Sequence, residues 1–322
     1  MRPILRPGLR RLRDSEGEAV LDHGGLRALD RAEVSLVDRL DGVRDATTVC
    51  AGLTDAEHCA AWDRLVADRV VVDLDVALDL LARLPPSRRR DGGGEVASLL
   101  AAADRPADRL ADRLLARLEA RISVLGTDAV GCRLTDILAG ALLAGARPVE
   151  RLPAAQLGPE HLVVITDACE PAPEIIEPLS REDTPHLVAG LRGISGVVGP
   201  FVLPGASACT RCIDLTRASR DRGWLRRRMA LSGRLGSAGP VPSPGAPLVP
   251  ASTVVAELVA ALAASEVLDW VEGRMPSTVD ATVDVVLLTE RLGPPQLPMR
   301  RQEWHRHAAC GCGWAASATM EE

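Results

Sequence analysis

The sequence predicts an α/β protein in which a small winged-helix-like α+β domain precedes a Rossmann-like domain. Two observations predict this class. A strand-turn-helix pattern with a glycine turn occupies residues 121–145, and short strand patterns followed by short helical patterns fill the first 84 residues. Between them, LPPSRRRDGGGE has the composition of a linker. We therefore expect one domain over 1–84, a linker over 85–95 and a second domain over 96–322.

The N-terminal domain is predicted from its turns and its helical periods. Pro3 to Asp14, Glu18 to Asp22 and Leu26 to Leu29 are short and partly apolar, and they predict a small β-meander. Apolar positions then repeat at helical spacing in 31–42 and 55–69, ahead of the apolar stretch VVVDLD. Strands, short helices and a final strand are the order of a winged helix-turn-helix.

Charge argues against a nucleic-acid partner for this domain. The chain has a formal net charge of −6, and residues 1–84 contain 12 Arg against 16 acidic residues. The candidate recognition helix carries Asp55, Glu57, Asp63 and Asp68, which would repel DNA phosphates. A winged helix without basic character more often binds a protein or peptide, for example by adding an extended strand to its exposed sheet edge.

Composition also bounds the chemistry and the compartment. All 38 basic residues are arginine, which excludes Schiff-base lysines and a P-loop lysine. The basic N terminus has no apolar stretch of signal length, and the longest uncharged run, 235–256, holds five prolines, so we expect no membrane partner. Eight cysteines without an export signal favour metal binding over disulfides, and we expect a cytoplasmic protein.

The second domain is predicted as a Rossmann-like unit with further strands. Its expected elements are a long helix over 96–120, the strand-turn-helix already described, buried strands at 161–167 and 195–205, a mostly buried helix over 253–273, and a late strand in ATVDVVLLTE.

The glycine turn lacks the residue pattern of a nucleotide site. Gly126 and Gly131 are in place, but Asp128 stands at the middle glycine position, where it adds bulk and negative charge. Asp128 could instead cap the following helix. Pro153 stands where an acid for ribose is expected, and about ten residues separate this strand from HLVVITD, too few for a complete unit. We expect an abbreviated Rossmann core that does not bind ATP or NAD in the ordinary way.

Four cysteines form two distant pairs with metal-ligand spacing. Cys209 and Cys212 form a CxxC motif, and Cys310 and Cys312 form a CxC motif. Four thiolates suit a closed tetrahedral zinc site, which would be structural because no position remains for water. Two free thiol pairs or a redox disulfide are the alternatives, and His305 or His307 could replace a ligand. The other cysteines are Cys50, Cys59, Cys132 and Cys169, expected as small buried hydrophobes, with Cys132 the one candidate for reactivity.

The segment GPFVLPGASACTRCIDLTRASRDRGW, an Ala-rich helix and a terminal CGC together resemble the ThiF-like activating-enzyme family. Within it, the chain is similar to the cyclodehydratase component of thiazole/oxazole-modified bacteriocin biosynthesis. The resemblance implies a protein that captures the leader of a precursor peptide and presents it to an ATP-using YcaO-type partner enzyme. The resemblance implies that zinc binds the four cysteines named above. The adenylation residues of the family do not carry over to this sequence.

The resemblance also implies where the peptide binds. The leader would pair beside the third N-terminal strand near Leu26 and Ala28 and would pack on the helix that contains Trp62. Relatives of this family commonly dimerise, so a homodimer is a possible assembly. Two other functions stay open: an active ATP-dependent adenylyltransferase with an unconventional loop, and a winged-helix DNA-binding regulator.

Overall fold

A computed structural model of the chain describes ten stretches of residues. They are 1–13, 19–22, 26–51, 56–102, 107–143, 145–167, 169–193, 195–232, 252–286 and 299–312. The chain divides into two compact units, Met1–Leu115 and Ala116–Glu322.

Within its described residues, the first unit contains five short strands and five α-helices, and a sixth helix extends past Leu115 into the second unit. The strands are β1 (Pro3–Leu5), β2 (Arg10–Arg13), β3 (Ala19–Asp22), β4 (Leu26–Ala28) and β5 (Val71–Asp73). The helices are α1 (Arg31–Val37), α2 (Ala46–Cys50), α3 (Ala56–Ala67), α4 (Leu74–Arg83), α5 (Gly93–Ala101) and α6 (Ala107–Glu119).

The N-terminal strands form two separate sheets, whereas the sequence predicted one meander. Strands β2, β3 and β4 make a three-stranded antiparallel meander, but β1 pairs with β5. Pro3 to Leu5 of β1 pair with Val71 to Asp73 of β5, which lie far from them in the sequence. Local turn signals cannot reveal such a pairing.

The core of this unit lies between the meander and helices α1 to α3. Leu21, Leu36, Val49 and Leu65 are each at most 1 % exposed and pack in one cluster. Helix α1 begins with a capping box, because Asp30 accepts from the backbone of Glu33 while the Glu33 side chain accepts from the backbone of Asp30.

The segment expected as a linker is folded into the first unit. Residues 85–95 contain a short 3-10 turn at Pro86–Arg88 and the beginning of α5. The long helix expected over 96–120 is two helices, α5 and α6, and Pro106 immediately precedes α6. A proline cannot continue a helix because it lacks the backbone N–H and its ring clashes with the preceding turn.

The second unit is built on one seven-stranded mixed sheet. Its strands are β6 (Arg121–Leu125), β7 (Ala146–Val149), β8 (His161–Ile165), β9 (His186–Arg192), β10 (Ser195–Val202), β11 (Ala281–Val286) and β12 (Met299–Glu303). Its helices are α7 (Ala129–Gly140), α8 (Pro173–Arg181), α9 (Thr210–Arg220), α10 (Trp224–Ser232) and α11 (Thr253–Val271).

The strand order in this sheet is β12-β11-β10-β9-β8-β6-β7. Strands β9, β8, β6 and β7 run parallel, and β10, β11 and β12 add antiparallel at the other side. From β6 the chain goes to β7 on one side and then returns to β8 on the other. The carboxyl ends of β6 and β8 therefore lie at a topological switch point, where ligands bind in open α/β sheets.

Helices cover both faces of the sheet. Helices α7 and α11 bury one face, in a cluster that includes Leu134, Val164 and Val259, each 0 % exposed. Helix α8 covers the other face, where Ile165 and Leu179 are equally buried. The connection from β7 to β8 contains only a 3-10 turn at Ala154–Gln156, which fits the abbreviated core expected from the sequence. Within the described residues, no helix combines the length and apolar character needed to cross a bilayer.

His186 makes the second unit sensitive to acid. Its ring is fully buried, its Nδ1 donates to the Thr184 carbonyl at 3.0 Å, and its Nε2 is buried with no hydrogen-bond partner. Burial lowers the pKa of this histidine to about 4, from an ordinary 6.5. The unfolded chain therefore binds the proton more tightly, so this contribution to stability is complete above pH 6.5 and is lost as the pH falls towards 4.

We expect His186→Asn, which keeps a side-chain donor, to reduce this acid sensitivity. The free energy of unfolding should fall less between pH 7.5 and 4.5 in the variant than in the parent chain, by about 2 to 3 kcal/mol. Urea unfolding of both chains at the two pH values measures the difference. An identical pH dependence would show that His186 does not titrate in this way.

Candidate functional site

The glycine turn after β6 lies at the switch point and packs tightly against the end of β8. Gly126 has φ +134°, and a Cβ there would lie 2.3 Å from the Thr166 hydroxyl oxygen. A Cβ on Gly131 would lie 2.4 Å from the Gly126 carbonyl oxygen. Both glycines are therefore required by the packing of the turn itself, without any ligand.

Asp128 occupies the N terminus of α7. Its carboxylate accepts from the backbone N–H of Gly131 at 3.1 Å and of Val130 at 3.3 Å, and it accepts from the Thr166 hydroxyl at 2.8 Å. These N–H groups are the ones that a phosphate would need at a helix N terminus. The protein's own carboxylate takes that place, as the capping interpretation of Asp128 predicts.

A second carboxylate lies beside the first. Asp167 follows β8 directly and is half-buried, and its Oδ1 is buried with no hydrogen-bond partner. Desolvation and then the Asp128 charge raise the pKa of the Asp167 carboxyl. Sequence analysis did not single out Thr166 or Asp167, although polar residues directly after a buried strand were a usable signal. Two acids at this point disfavour a phosphate.

The cap can be tested by two substitutions. Asn is as good an N-cap as Asp, whereas Ala removes the acceptor. We expect Asp128→Ala to lower the free energy of unfolding by about 1 kcal/mol, about 2 to 4 °C in Tm, and Asp128→Asn to cost much less. Differential scanning calorimetry of both variants measures this, and equal losses would contradict the capping role.

The four cysteines of the two motifs meet in one cluster. The Sγ atoms of Cys209 and Cys212 are 3.7 Å apart, Cys209 and Cys310 are 3.5 Å apart, and Cys212 and Cys312 are 3.5 Å apart. All four sulfurs lie within 4.8 Å of one another. Bonds of about 2.3 Å to a tetrahedral zinc ion imply sulfur separations of about 3.8 Å. The donor set and its spacing are compatible with a metal ion, and all four cysteines are free thiols.

Local structure positions each pair of cysteines. Cys209 is the N-cap of α9, which places Cys212 one turn further along the helix. Gly311 lies between the other two cysteines with φ +75°, a backbone conformation that side-chain-bearing residues rarely adopt. The Ala208 N–H donates to the Asp280 carboxylate at 2.6 Å, which holds the first turn near the start of β11.

Two hydrogen bonds converge on the sulfur of Cys212. The Cys209 thiol donates to the Cys212 sulfur, which lowers the pKa of Cys212 to about 4 and raises that of Cys209. The His307 backbone N–H also donates to this sulfur at 3.3 Å. Burial raises the pKa of Cys310 to about 11. Because thiolates are the form that binds metals, an ion here would compete with protons.

An arginine held between two indoles packs next to the cluster. The Arg217 guanidinium carbon lies 4.7 Å from the Trp224 ring centre and 5.1 Å from that of Trp304, and Trp304 belongs to the buried group around the cysteines. Sequence analysis did not predict this stack, since two of its members are 80 residues apart in an otherwise aromatic-poor chain.

The cysteines outside the cluster differ from the prediction. Cys59 and Cys132 are exposed, and Cys50 and Cys169 are half-buried. Cys59 lies on the exposed side of α3, and Cys132 lies on the exposed side of α7. The apolar residues next to each cysteine in the sequence had suggested a buried position.

In the first unit, β4 presents backbone groups at a sheet edge. Leu29 N–H donates to the Ala19 carbonyl at 2.9 Å, and the register pairs Leu21 with Arg27 and Val20 with Ala28. Hydrogen-bonded and non-hydrogen-bonded pairs alternate in an antiparallel ladder. The N–H and C=O groups of Leu26 and Ala28 therefore point away from β3. Within the described residues β4 pairs with β3 alone.

Trp62 of α3 is half-buried against the apolar core of the first unit. Asp68, which follows α3, accepts from Arg27 of β4 at 2.9 Å. Leu26 and Ala28 both lie on β4. The predicted contact of a peptide with Trp62 stays a prediction.

No protein-family model matches the chain, and no curated protein sequence resembles it. The fold is similar to that of solved mixed α/β proteins. One is MccB of E. coli crystallised with MccA, at 12% identity and a TM-score of 0.62, covering 98% of this chain and 100% of that one. Another is the heterocyclase TruD, at 16% identity and a TM-score of 0.61, covering 97% of this chain and 42% of that one.

Proposed function

We propose that this protein is a zinc-stabilised, ThiF-like scaffold that binds a precursor peptide and presents it to an ATP-using YcaO-type enzyme. The observation that carries the proposal is the similarity of fold to MccB over 98% of the chain, which includes the N-terminal unit as well as the mixed sheet. MccB is a microcin C7 biosynthetic enzyme solved with MccA, and TruD is a heterocyclase. Both names belong to peptide-modifying biosynthesis.

The edge of β4 supports the peptide-binding part. Its outward backbone groups at Leu26 and Ala28 are those that an added strand would pair with, and Ala28 is exposed. The added strand would be recognised first by main-chain hydrogen bonds, and its side chains would supply specificity. We assign Trp62 to the core of the unit and leave it out of the proposed contact surface.

The loop after β6 supports the scaffold part. Asp128 already accepts from the N–H groups of α7, and Asp167 adds a second acid within the same switch point. A nucleotide would have to displace the first carboxylate and then face the second. ATP chemistry is therefore assigned to the partner.

Zinc is proposed as a structural ion. Cys209, Cys212, Cys310 and Cys312 would hold it, and an ion bound by four thiolates has no open position for a substrate. When bound, it would join the start of α9 to the turn that follows β12.

Two measurements on the purified full chain test this function. The probes are fluorescein-labelled copies of the products of any short open reading frames next to this chain's gene, and one such peptide should bind with a Kd in the micromolar range or below. ATP-pyrophosphate exchange should stay at background with and without that peptide. Failure of the peptide to bind would remove the leader-binding role.

One finding favours a second function, that of an active adenylyltransferase. MccB has also been solved with ATP, in a structure whose TM-score to this chain is 0.61. Clear pyrophosphate exchange by the chain alone would establish this alternative and would require Asp128 to move away from the helix terminus.

A further inference from the structure

The cysteine cluster opens on one side to a cavity of the second unit. This cavity lies between α8, α9, α10 and the turn at 309–312, and its volume is about 1070 Å³. Cys209, Cys310 and Cys312 contribute to its lining. A cavity of this size admits small solutes, including molecules of the size of hydrogen peroxide. The sulfur atoms can therefore be approached from this side.

The four cysteines differ in their exposure to solvent. Cys212 is 0 % exposed, Cys310 is 6 % and Cys209 is 8 % exposed, whereas Cys312 is half-buried. The susceptibility of a cysteine to oxidation follows its thiolate character and its exposure. A bound metal ion would hold all four cysteines as thiolates, so exposure decides between them. Cys312 is therefore the cysteine that an oxidant meets first.

A second sulfur lies next to Cys312. The Sγ atoms of Cys212 and Cys312 are 3.5 Å apart, and the Sγ atoms of Cys209 and Cys310 are equally close. In cysteine redox sensors, an accessible cysteine commonly stands beside a second one that converts its sulfenic acid into a disulfide. Cys212 is placed to do this for Cys312, and the resulting disulfide would join the two motifs.

We propose that Cys312 and Cys212 are a redox-sensitive pair through which a hydroperoxide releases the metal ion from the cluster. The Cys312 thiolate attacks one oxygen of hydrogen peroxide, the O–O bond breaks, and Cys312 becomes a sulfenic acid as hydroxide leaves. The Cys212 thiolate then attacks the Cys312 sulfur, the S–O bond breaks, and a second hydroxide leaves. The two sulfurs lose two electrons in all, and the peroxide gains them.

The disulfide leaves Cys209 and Cys310 as the remaining thiolates, which are two of the four ligands of a structural zinc site. The ion is then released, while the disulfide keeps the turn at 309–312 attached to α9. Because that link persists, reduction of the disulfide restores the full ligand set. The inference rests on the zinc ion proposed above and is independent of the peptide edge of the first unit.

Treatment of the zinc-loaded full chain with hydrogen peroxide tests this. A colorimetric chelator measures the released zinc, and mass spectrometry of a non-reduced tryptic digest maps the disulfides. Arg211 lies between Cys209 and Cys212, so trypsin separates these two cysteines. We expect zinc release to rise in step with a disulfide that joins peptide 212–217 to peptide 307–322 through Cys312. Dithiothreitol and added zinc should restore the metal content.

Two histidine variants separate exposure from the loss of a ligand. Three thiolates and one imidazole also form a closed zinc site. Cys312→His removes the exposed sulfur and should release zinc about tenfold more slowly than the parent chain. Cys310→His makes the same change at a buried position and should release zinc at close to the parent rate. The double variant Cys59→Ser, Cys132→Ser lacks the exposed thiols outside the cluster and should also behave as the parent does.

Three results would overturn this inference alone: a zinc-loaded chain that keeps its ion in peroxide, a first disulfide between Cys209 and Cys212, or equal release rates from the two histidine variants. If neither histidine variant binds zinc, the disulfide map of the parent chain decides. A parent chain that contains no zinc before oxidation would instead remove the proposed ion, and this inference with it.

Discussion

Replacing Cys209 by serine is expected to remove the metal from the protein and to destabilise the second unit. The parent chain, purified without chelator, should contain about one zinc per chain, and Cys209→Ser should contain much less. Because metal affinity is coupled to folding, we expect a loss of about 3 kcal/mol or more, which corresponds to about 6 to 12 °C in Tm. Elemental analysis and calorimetry measure the two effects.

Cys132→Ser is the matched control for this prediction. Cys132 is an exposed cysteine of the same unit, and its Sγ only donates weakly to the Thr127 carbonyl, a contact that a serine hydroxyl can replace. Metal content and Tm should stay at parent values. A parent chain without bound metal, together with an unchanged Tm in Cys209→Ser, would refute the zinc assignment.

Ala28→Pro is expected to block the addition of a peptide strand to β4 while leaving the unit folded. The register directs the Ala28 N–H away from β3, and proline is tolerated in an edge strand when its missing N–H faces outward. Loss of that donor and the bulk of the ring should weaken, by about 10- to 100-fold, the affinity of a labelled peptide that binds the parent chain. Fluorescence anisotropy measures the Kd.

Ala28→Ser keeps the backbone donor at the same exposed position, so its affinity should remain within about twofold of the parent. Circular dichroism should be the same for the parent and both variants. If Ala28→Pro binds as tightly as Ala28→Ser, the peptide uses another surface.

The parts of the fold that sequence patterns predicted are those with local signals. The turn at Gly126, the buried strand β8 and the apolar helix α11 each carry their pattern within one stretch of chain. The pairing of β1 with β5 and the division of 96–120 into two helices depend on distant partners or on residues between periodic segments. The periodicity of apolar residues within one stretch reveals neither the pairing of β1 with β5 nor the break between the two helices.

The residues of the candidate site also divide into those with a local sequence signal and those that depend on distant contacts. Cysteine spacing pointed to one cluster because thiolates at CxxC and CxC spacing have few other uses in a reduced protein. Thr166 and Arg217 act through contacts made across the fold, the first with Asp128 and the second with two tryptophans. Trp62 packs on the apolar core of its unit, but a half-buried aromatic on a helix can serve the core or a surface equally well, so its predicted contact with a peptide stays a prediction.

The distance along the chain between the two cysteine motifs has a consequence for biosynthesis. Cys209 and Cys310 are 101 positions apart, and α11, β11 and β12 lie between them. While a ribosome is still translating that interval, half of the sulfur ligands do not yet exist. An ion held by all four sulfurs, as proposed above, could therefore bind only after residue 312 has been synthesised. A nascent chain arrested before residue 310 would carry the thiols of Cys209 and Cys212 without their two partners.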